Sequence, residues 1–490
     1  MVLNRILGKI LIIYQFKTFK AVSFSVHKLS KKQPNQHNLL AIKNQPSNQL
    51  DHQELAQLIF SPFIHLFNIN ETTKCLFNSL TLKKVYLAND KYAKLLLDLN
   101  TGNHSRDVKS LVDLKFIVPQ GFDQKKVFDS IGDSLLRKKP STNLAYILVT
   151  DFCNFRCGYC FIENSLKGPS ISMSKDLADK VINVLLNEAK QAPEYRVTFY
   201  GGEPLSNSEI VFYIIEKLEQ AFKNKFMFSC VTNGSLVTEE LAKKLKQHNV
   251  TVGLSLDGWA NIDKNRVFIN GKETFYSTLK ALTLLEDAGA NVGISCTITK
   301  QNYQYAEEIV EFIQKLGIKT IGFNLLTRLK EPSEFEVPDP KQLAHHLFMA
   351  YLKANELHMF EDRIGNRRAN YFFKEIFHLY DCPAFGQLIF FSPSGTVGPC
   401  HAFYPSGKHQ IPINDNLKVQ EEPLFYKWLE MGTLKNSDCM KCPAIGICGG
   451  GCAYDIYVKT GQLGIKEDYF CTFQNEILKL LLSYNFLMKA

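Results

Sequence analysis

From residue 144 onward the chain alternates between short apolar runs and longer segments whose apolar positions recur every three or four residues. The runs at 144–150, 195–200, 226–231, 250–256, 290–298 and 318–325 read as strands. The segments at about 174–190, 206–223, 237–247, 273–288 and 303–316 read as helices. Strands separated by helices in this way predict a parallel sheet with right-handed crossovers. Ahead of it, residues 60–135 carry shorter pieces: strand-like runs at 61–67, 73–78 and 82–87, a helix over 89–99, and a closing strand at 110–118. Behind it, residues 331–380 read as a connecting segment with helices. The helically spaced Phe348, Tyr351, Tyr371, Phe372 and Phe373 there read as core.

In parallel α/β sheets the chemistry gathers at the carboxyl ends of the strands, and the unusual residues of this chain fall at those ends. After the first strand comes Cys153-Asn-Phe-Arg-Cys157-Gly-Tyr159-Cys160. Three thiols on one short loop can converge on a single inorganic centre. Three thiolates on a cubane-type iron–sulfur cluster leave one iron open to a small molecule. A zinc knuckle is the alternative, although structural zinc closes with four ligands and a different spacing. The second strand leads into Gly201, Gly202, Glu203 and Pro204, where paired glycines let the backbone approach a ligand closely. Thr232-Asn-Gly234 follows the third strand. Ser255-Leu-Asp-Gly258 and Asp263-Lys-Asn-Arg266 follow the fourth. Turn chemistry is the other reading of Ser255 and Asp257, and a surface ion pair that of Arg266. Thr327 and Arg328, past the sixth strand, are expected to face the cavity. The last hundred residues hold Cys382-x12-Gly395-x4-Cys400, then Cys439-x2-Cys442-x5-Cys448-x3-Cys452, then Cys471. Zinc ribbons also use C-x2-C pairs, but seven ligands divide poorly into zinc tetrads.

Taken together, these motifs resemble the radical S-adenosylmethionine (radical SAM) enzymes, and the C-terminal seven-cysteine pattern resembles their SPASM domain. The resemblance implies an α/β fold: a partial (β/α)6 barrel, a C-terminal cysteine-rich SPASM domain and a small N-terminal winged-helix-like region of the peptide-recognition type. It implies a SAM-binding [4Fe–4S] cluster on Cys153, Cys157 and Cys160. Of two auxiliary [4Fe–4S] clusters, one would lie on Cys439, Cys442, Cys448 and Cys471, the other on Cys382, Cys400 and Cys452. Tyr159 and Gly201 to Pro204 would contact S-adenosyl-L-methionine, the latter at its amino group. Ser255 would hydrogen-bond it, Arg266 would pair with its carboxylate, and the segment 293–298 would meet its adenine. The implied activity is reductive SAM cleavage to a 5′-deoxyadenosyl radical that crosslinks a residue of a ribosomally made peptide. The implied partners are a peptide or protein substrate and an electron donor such as flavodoxin or ferredoxin. Anaerobic sulfatase maturases, the alternative, carry Asp as catalytic base right after the cysteine of the G-x4-C element. This chain has His401 there, either a catalytic candidate or an ordinary loop histidine. A noncatalytic iron–sulfur electron carrier is the alternative of another class.

Composition adjusts this picture at its edges. A 490-residue chain, 45% hydrophobic, can bury more than one core. The expected boundaries are 1–50, 60–135, 144–330, 331–380 and 381–480. The net charge of +9 is concentrated in the first fifty residues, which have no Asp or Glu but carry Arg5, Lys9, Lys17, Lys20, Lys28, Lys31, Lys32 and Lys43. The body is therefore near neutral, with no basic footprint for nucleic acid. Residues 1–50 read as a basic, disordered arm. Their apolar run at 10–14 is too short to span a bilayer, and no small-residue cleavage site follows it. Thirteen cysteines suit a reducing compartment, so the expected location is the cytoplasm, with no membrane partner. Cys75, Cys230 and Cys296 stand apart and read as small hydrophobes.

Overall fold

The computed structural model describes residues 57–136, 138–162, 168–327 and 337–489; the basic arm and Arg328 lie outside them. The N-terminal unit opens with β1 (Leu58–Phe60) and a three-stranded antiparallel sheet of β2 (Ile64–Asn68), β3 (Thr73–Asn78) and β4 (Lys84–Ala88). Helices Asn89–Asn100 and Arg106–Asp113 follow, then β5 (Ile117–Pro119), which pairs with β1. The closing strand expected at 110–118 is thus half helix. Ser105 caps Val108 N–H, and Val108 and Leu111 are buried on one face, so helical spacing prevails until Lys115 turns the chain at φ 61°. The run at 61–67 opens on a turn, and its strand begins only at Ile64.

Among the described residues the central sheet has ten strands. Its parallel core runs in chain order through β6 (Leu144–Thr150), β7 (Tyr195–Gly201), β8 (Phe226–Thr232), β9 (Thr251–Ser255), β10 (Asn291–Ile298) and β11 (Thr320–Leu325). Alternation sorts the side chains of these strands. One set, including Ile147, Val197, Phe199, Phe228, Cys230, Val252, Leu254, Cys296 and Phe323, is buried with Val181, Ile214, Leu282 and Ile309 of the covering helices. Cys230 and Cys296 serve there as small apolar side chains, and Cys75 is equally buried. The opposite face carries Tyr146, Tyr200, Ser229, Ser255, Ser295, Thr297 and Asn324, all half-buried or exposed. The inner face is therefore polar and accessible, while the outer face is dry.

The sheet extends further than the six expected strands. β12 (Phe360–Glu361) adds to β11 and runs into a π-helical turn, Asp362–Ala369. At the other edge β13 (Leu388–Phe391), from the cysteine-rich end of the chain, pairs in parallel with β6. β14 (Thr396–Gly398) and β15 (Ile411–Pro412) continue antiparallel. Phe348, Tyr351 and Phe372 are buried, as core positions should be, whereas Phe373 is exposed. Among the described residues no helix is long and apolar enough to cross a membrane.

The β6–β7 ladder slips between Leu148 and Thr150, so that Thr150 faces Gly201. At that point the two backbones nearly touch. Gly202 N–H donates to Thr150 O at 3.0 Å and Glu203 N–H to Phe152 O at 2.7 Å. A Cβ on Gly202 would stand 2.1 Å from Phe152 O and 2.5 Å from Asp151 O, and one on Gly201, at φ 147°, 2.2 Å from Thr150 O. The glycines thus admit the protein's own backbone. Gly202→Ala is expected to cost about 3 kcal/mol, as backbone carbonyls must move; a denaturation midpoint matching the parent would show that they move freely.

Candidate functional site

The cysteine loop leaves β6 at this slip and is pinned along its length. Phe155 bridges Phe268, Arg156 N–H donates to Val267 O at 2.7 Å, and Gly158 N–H to Asn265 O at 3.1 Å. From the third strand's end, Asn233 Nδ2 donates to Asn154 Oδ1 at 3.0 Å and reaches Cys153 Sγ at 3.8 Å. Cys153, Cys157 and Cys160 come within electrostatic reach of one another. Burial first, and then neighbours such as Cys160, push the Cys153 and Cys157 thiols up to about 12. Ligation needs thiolates, so a group held here must bring positive charge, as an iron–sulfur core does. The donor set fits such a core.

Beside the loop lies a buried charged network. Tyr159 O–H donates to Asp257 Oδ2, and Arg266 Nη1 donates to Tyr159 Oη at 3.2 Å. Asp257 Oδ1 accepts from Thr297 N–H and Asp263 Oδ1 from Asp257 N–H, each at 2.9 Å. Arg266 lies 3.5 Å from Asp263 and 5.7 Å above the Phe155 ring. Burial pushes both carboxyls upward, against the Arg266 charge. Arg266 is only 5% exposed, yet its Nε and Nη2 have no hydrogen-bond partner. A buried, unsatisfied guanidinium edge fits an anionic ligand group. Sequence reasoning treated Asp257 as turn chemistry, but its carboxylate joins β10, Tyr159 and Arg266. Its signal was its place at a strand's carboxyl end.

Glu203 is fully buried and faces the protein. Oε1 accepts from Leu205 N–H at 3.0 Å and Thr232 Oγ1 at 2.7 Å, and Oε2 from Asn233 N–H at 2.8 Å. Its carboxylate fastens β7 to β8, with Pro204 opening the short turn Pro204–Asn207. Ser255 ends β9 on the polar inner face, beside Ser295. Thr327 is half-buried just past β11.

The remaining cysteines assemble into two groups. Cys382, Cys400 and Cys452 lie within reach of one another, with Asp455 beside Cys400 and Cys452. Burial raises all three, Cys382 to about 11. Cys439, Cys442, Cys448 and Cys471 form the second group. A small cavity of about 40 Å³ is lined by Cys439, Cys448 and Cys471 together with Phe470 and Glu467. Asn475 Nδ2 points to Cys442 Sγ at 3.9 Å. Among the described residues no three His, Cys, Asp or Glu side chains close tightly enough around a point to hold a single metal ion.

His401 follows Cys400 and is surrounded by aromatic rings. Its ring packs 5.1 Å from Tyr146, 5.2 Å from Tyr200, 5.9 Å from Phe161 and 6.4 Å from Phe390, centroid to centroid. Burial lowers it to about 4, and its Nδ1 is buried without a partner. The imidazole is therefore neutral near pH 7. Tyr404 fixes this segment by donating to Asp151 Oδ2 at 2.9 Å, just before the cysteine loop. Tyr200 in turn feels the charge of Cys160, Cys153 and Cys157, and Tyr146 that of Cys382 and Cys400. The aromatic box thus stands between two cysteine groups.

Residues 147–313 match the family profile of the radical SAM superfamily. An uncharacterized protein of Methanocaldococcus jannaschii is 33% identical over 37% of this chain and 62% of its own length. The antilisterial bacteriocin subtilosin biosynthesis protein AlbA of Bacillus subtilis is 27% identical over 62% of this chain and 65% of its own. The chain thus spans less than two thirds of either. A cysteine-type anaerobic sulfatase-maturating enzyme of Clostridium perfringens is 26% identical over 67% of this chain and 92% of its own length. Among solved structures, the AdoMet-bound anSMEcpe covers 70% of this chain and all of its own (TM-score 0.59, 20% identity). Streptococcus suis SuiB bound to precursor peptide SuiA covers 85% of this chain and all of its own (TM-score 0.52, 18% identity). The chain carries a radical SAM domain, built on the mostly parallel α/β sheet that it shares with these two structures.

Proposed function

We propose that this protein is a radical SAM enzyme that oxidatively modifies, by crosslinking, a residue of a ribosomally made peptide. The observation that carries this reading is the aromatic box of Tyr146, Tyr200 and His401, which joins the strand-end cysteine loop to the Cys382, Cys400 and Cys452 group. In this reading the cysteine loop holds a [4Fe–4S] cluster, and the two further groups hold auxiliary clusters as in SPASM domains. A cluster held by Cys153, Cys157 and Cys160 would supply the electron for reductive SAM cleavage. The protein orients and encloses. The free edge of Arg266 takes the SAM carboxylate, Ser255 hydrogen-bonds the cofactor, and Tyr159 holds Arg266 in place. Glu203 is spent on fixing the strand ends, which leaves the backbone of Gly201 and Gly202 to face SAM. The polar inner face admits a peptide, and dry outer packing keeps the strand ends rigid. Reduced thiols require a reducing compartment, so the proposed location is the cytoplasm, with a flavodoxin- or ferredoxin-type electron donor.

The sulfatase-maturase reading has one specific support, the 92% of the Clostridium perfringens enzyme that the chain spans. Two observations favour the peptide reading. The SuiB likeness reaches 85% of the chain against 70% for anSMEcpe. This chain also has His401 at the position where the sulfatase maturases carry their Asp base. Mass spectrometry separates the two: with SAM and reductant, a co-encoded peptide should lose the mass of a pair of hydrogen atoms. Formylglycine on a sulfatase peptide, with the co-encoded peptide unchanged, would reverse the choice.

Anaerobic reconstitution should give about twelve irons per chain, four for each centre. Replacing Cys153, Cys157 and Cys160 with Ala should remove about four and abolish 5′-deoxyadenosine formation; zinc in place of iron would sink the reading. The winged-helix-like unit at 60–135 is proposed to hold the peptide's leader by strand addition at β2, which stands at a sheet edge with Leu66 46% exposed. Leu66→Glu should weaken peptide binding at least about tenfold, or about 1.4 kcal/mol, while SAM cleavage without peptide persists. Unchanged affinity by fluorescence anisotropy would exclude β2.

A further inference from the structure

Arg368 lies on the π-helical turn Asp362–Ala369 and is completely buried. Its Nε donates to Gln474 Oε1 at 2.7 Å, and its Nη1 donates to Arg367 O at 2.9 Å and to Asp381 Oδ1 at 2.8 Å. Its Nη2 is buried and has no partner. A guanidinium carries five N–H donors, and leaving a charged donor unsatisfied in the interior is costly. The surroundings say what that atom faces. Asp381 immediately precedes Cys382, whereas Gln474 follows Cys471 by three residues on the helix Asp468–Leu487. The guanidinium stands 5.9 Å from the Phe470 ring, which lines the same cavity as Cys439, Cys448 and Cys471. Cys448 is raised by burial, and the Arg368 charge opposes that rise.

At this place the segments bearing the two cysteine groups are sewn together. Asp381 N–H donates to Gly449 O at 2.7 Å and His378 N–H to Gly446 O at 2.8 Å. A Cβ on Gly449 would lie 2.3 Å from Asp381 N. The Arg368 cation therefore sits between two sites that, on the reading above, hold anionic clusters, with Arg363 and Arg367 also acting on Cys382. Asp381 answers part of that charge and Nη2 is left over. Thiolate-bound clusters are net negative, and their potentials follow nearby charge and hydrogen bonds to sulfur.

We infer that Arg368 is a shared electrostatic tuning residue, whose Nη2 donates to a sulfur of the group on Cys439, Cys442, Cys448 and Cys471 and whose charge raises the reduction potentials of both auxiliary groups. This rests on the proposal that these cysteines hold iron–sulfur clusters, and the experiment keeps the two claims apart. Iron and sulfide are first measured in the reconstituted full-length protein. Absence of auxiliary iron in the parent would overturn the cluster reading itself, before any variant is made. With iron present, the auxiliary signals are followed by electron paramagnetic resonance during potentiometric titration. Arg368→Gln should move them to lower potential, because a positive charge and a donor are lost. Arg368→Lys should move them less, and Asp381→Asn should move them the opposite way, as it uncovers the same charge. The signal of the cluster on Cys153, Cys157 and Cys160 should stay put. Potentials unchanged in both Arg368→Gln and Asp381→Asn would reduce Arg368 to a packing role. If Arg368→Gln fails to load iron, Asp381→Asn decides alone: an upward shift supports the inference and none overturns it.

Discussion

Close backbone contact between the ends of β6 and β7 is the constraint on which the rest of the structure depends. The ladder slips at Val149, and Gly201 and Gly202 let two strand ends approach to distances no Cβ would tolerate. The slip turns β6 out of the sheet and starts the cysteine loop there. Glu203 then ties the same point to β8 through Thr232 and Asn233, and Asn233 reaches back to Cys153. Three consecutive strand ends are thereby fixed relative to one loop. Hydrogen bonds to a buried carboxylate are strong and directional, so the anchor resists local motion.

Polarity is divided across the sheet with the same economy. The outer face is mostly apolar side chains and isolated cysteines beneath the helices, and this packing holds the strands. The inner face carries serines, threonines, tyrosines and an asparagine, which leave room and hydrogen-bonding groups for ligands. Several buried charges come in compensated sets: Asp257 and Asp263 around Arg266, Asp362 with Arg367, and Asp381 with Arg368. Each set stands beside a cysteine group, where a low dielectric makes charges act strongly.

The C-terminal cysteine region is also continuous with the barrel. β13 pairs with β6, Tyr404 bonds Asp151, and Glu188 on the helix Lys175–Ala189 accepts from Val419 N–H at 3.2 Å. The N-terminal sheet docks on the last helix, with Tyr86 O–H donating to Leu482 O at 2.8 Å. The cysteine groups are held by elements from both ends of the chain, so their spacing is a property of the whole fold.

Much was legible from local pattern because the relevant rules are local. Periods of two and 3.6 marked all six core strands and their helices, since burial of one face needs only near neighbours. Cysteine spacing picked out the groups, because thiols on a short loop are neighbours by connectivity. Other features rest on contacts between distant segments. A helix could replace the expected strand at 110–118 because burying Val108 and Leu111 outweighed the apolar, β-branched look of the run. The glycines at 201 and 202 suggested a nearby ligand, while the structure brings the carbonyls of Thr150, Asp151 and Phe152 against them. Asp257 read as turn chemistry and Arg368 carried no signal, because their partners lie 98 and 106 positions away, at Tyr159 and Gln474. The sequence by itself determined which residue types could bind, and in what order along the barrel. Only the tertiary structure decided which charges are buried together, because burial and dielectric belong to the packed chain rather than to any stretch of it.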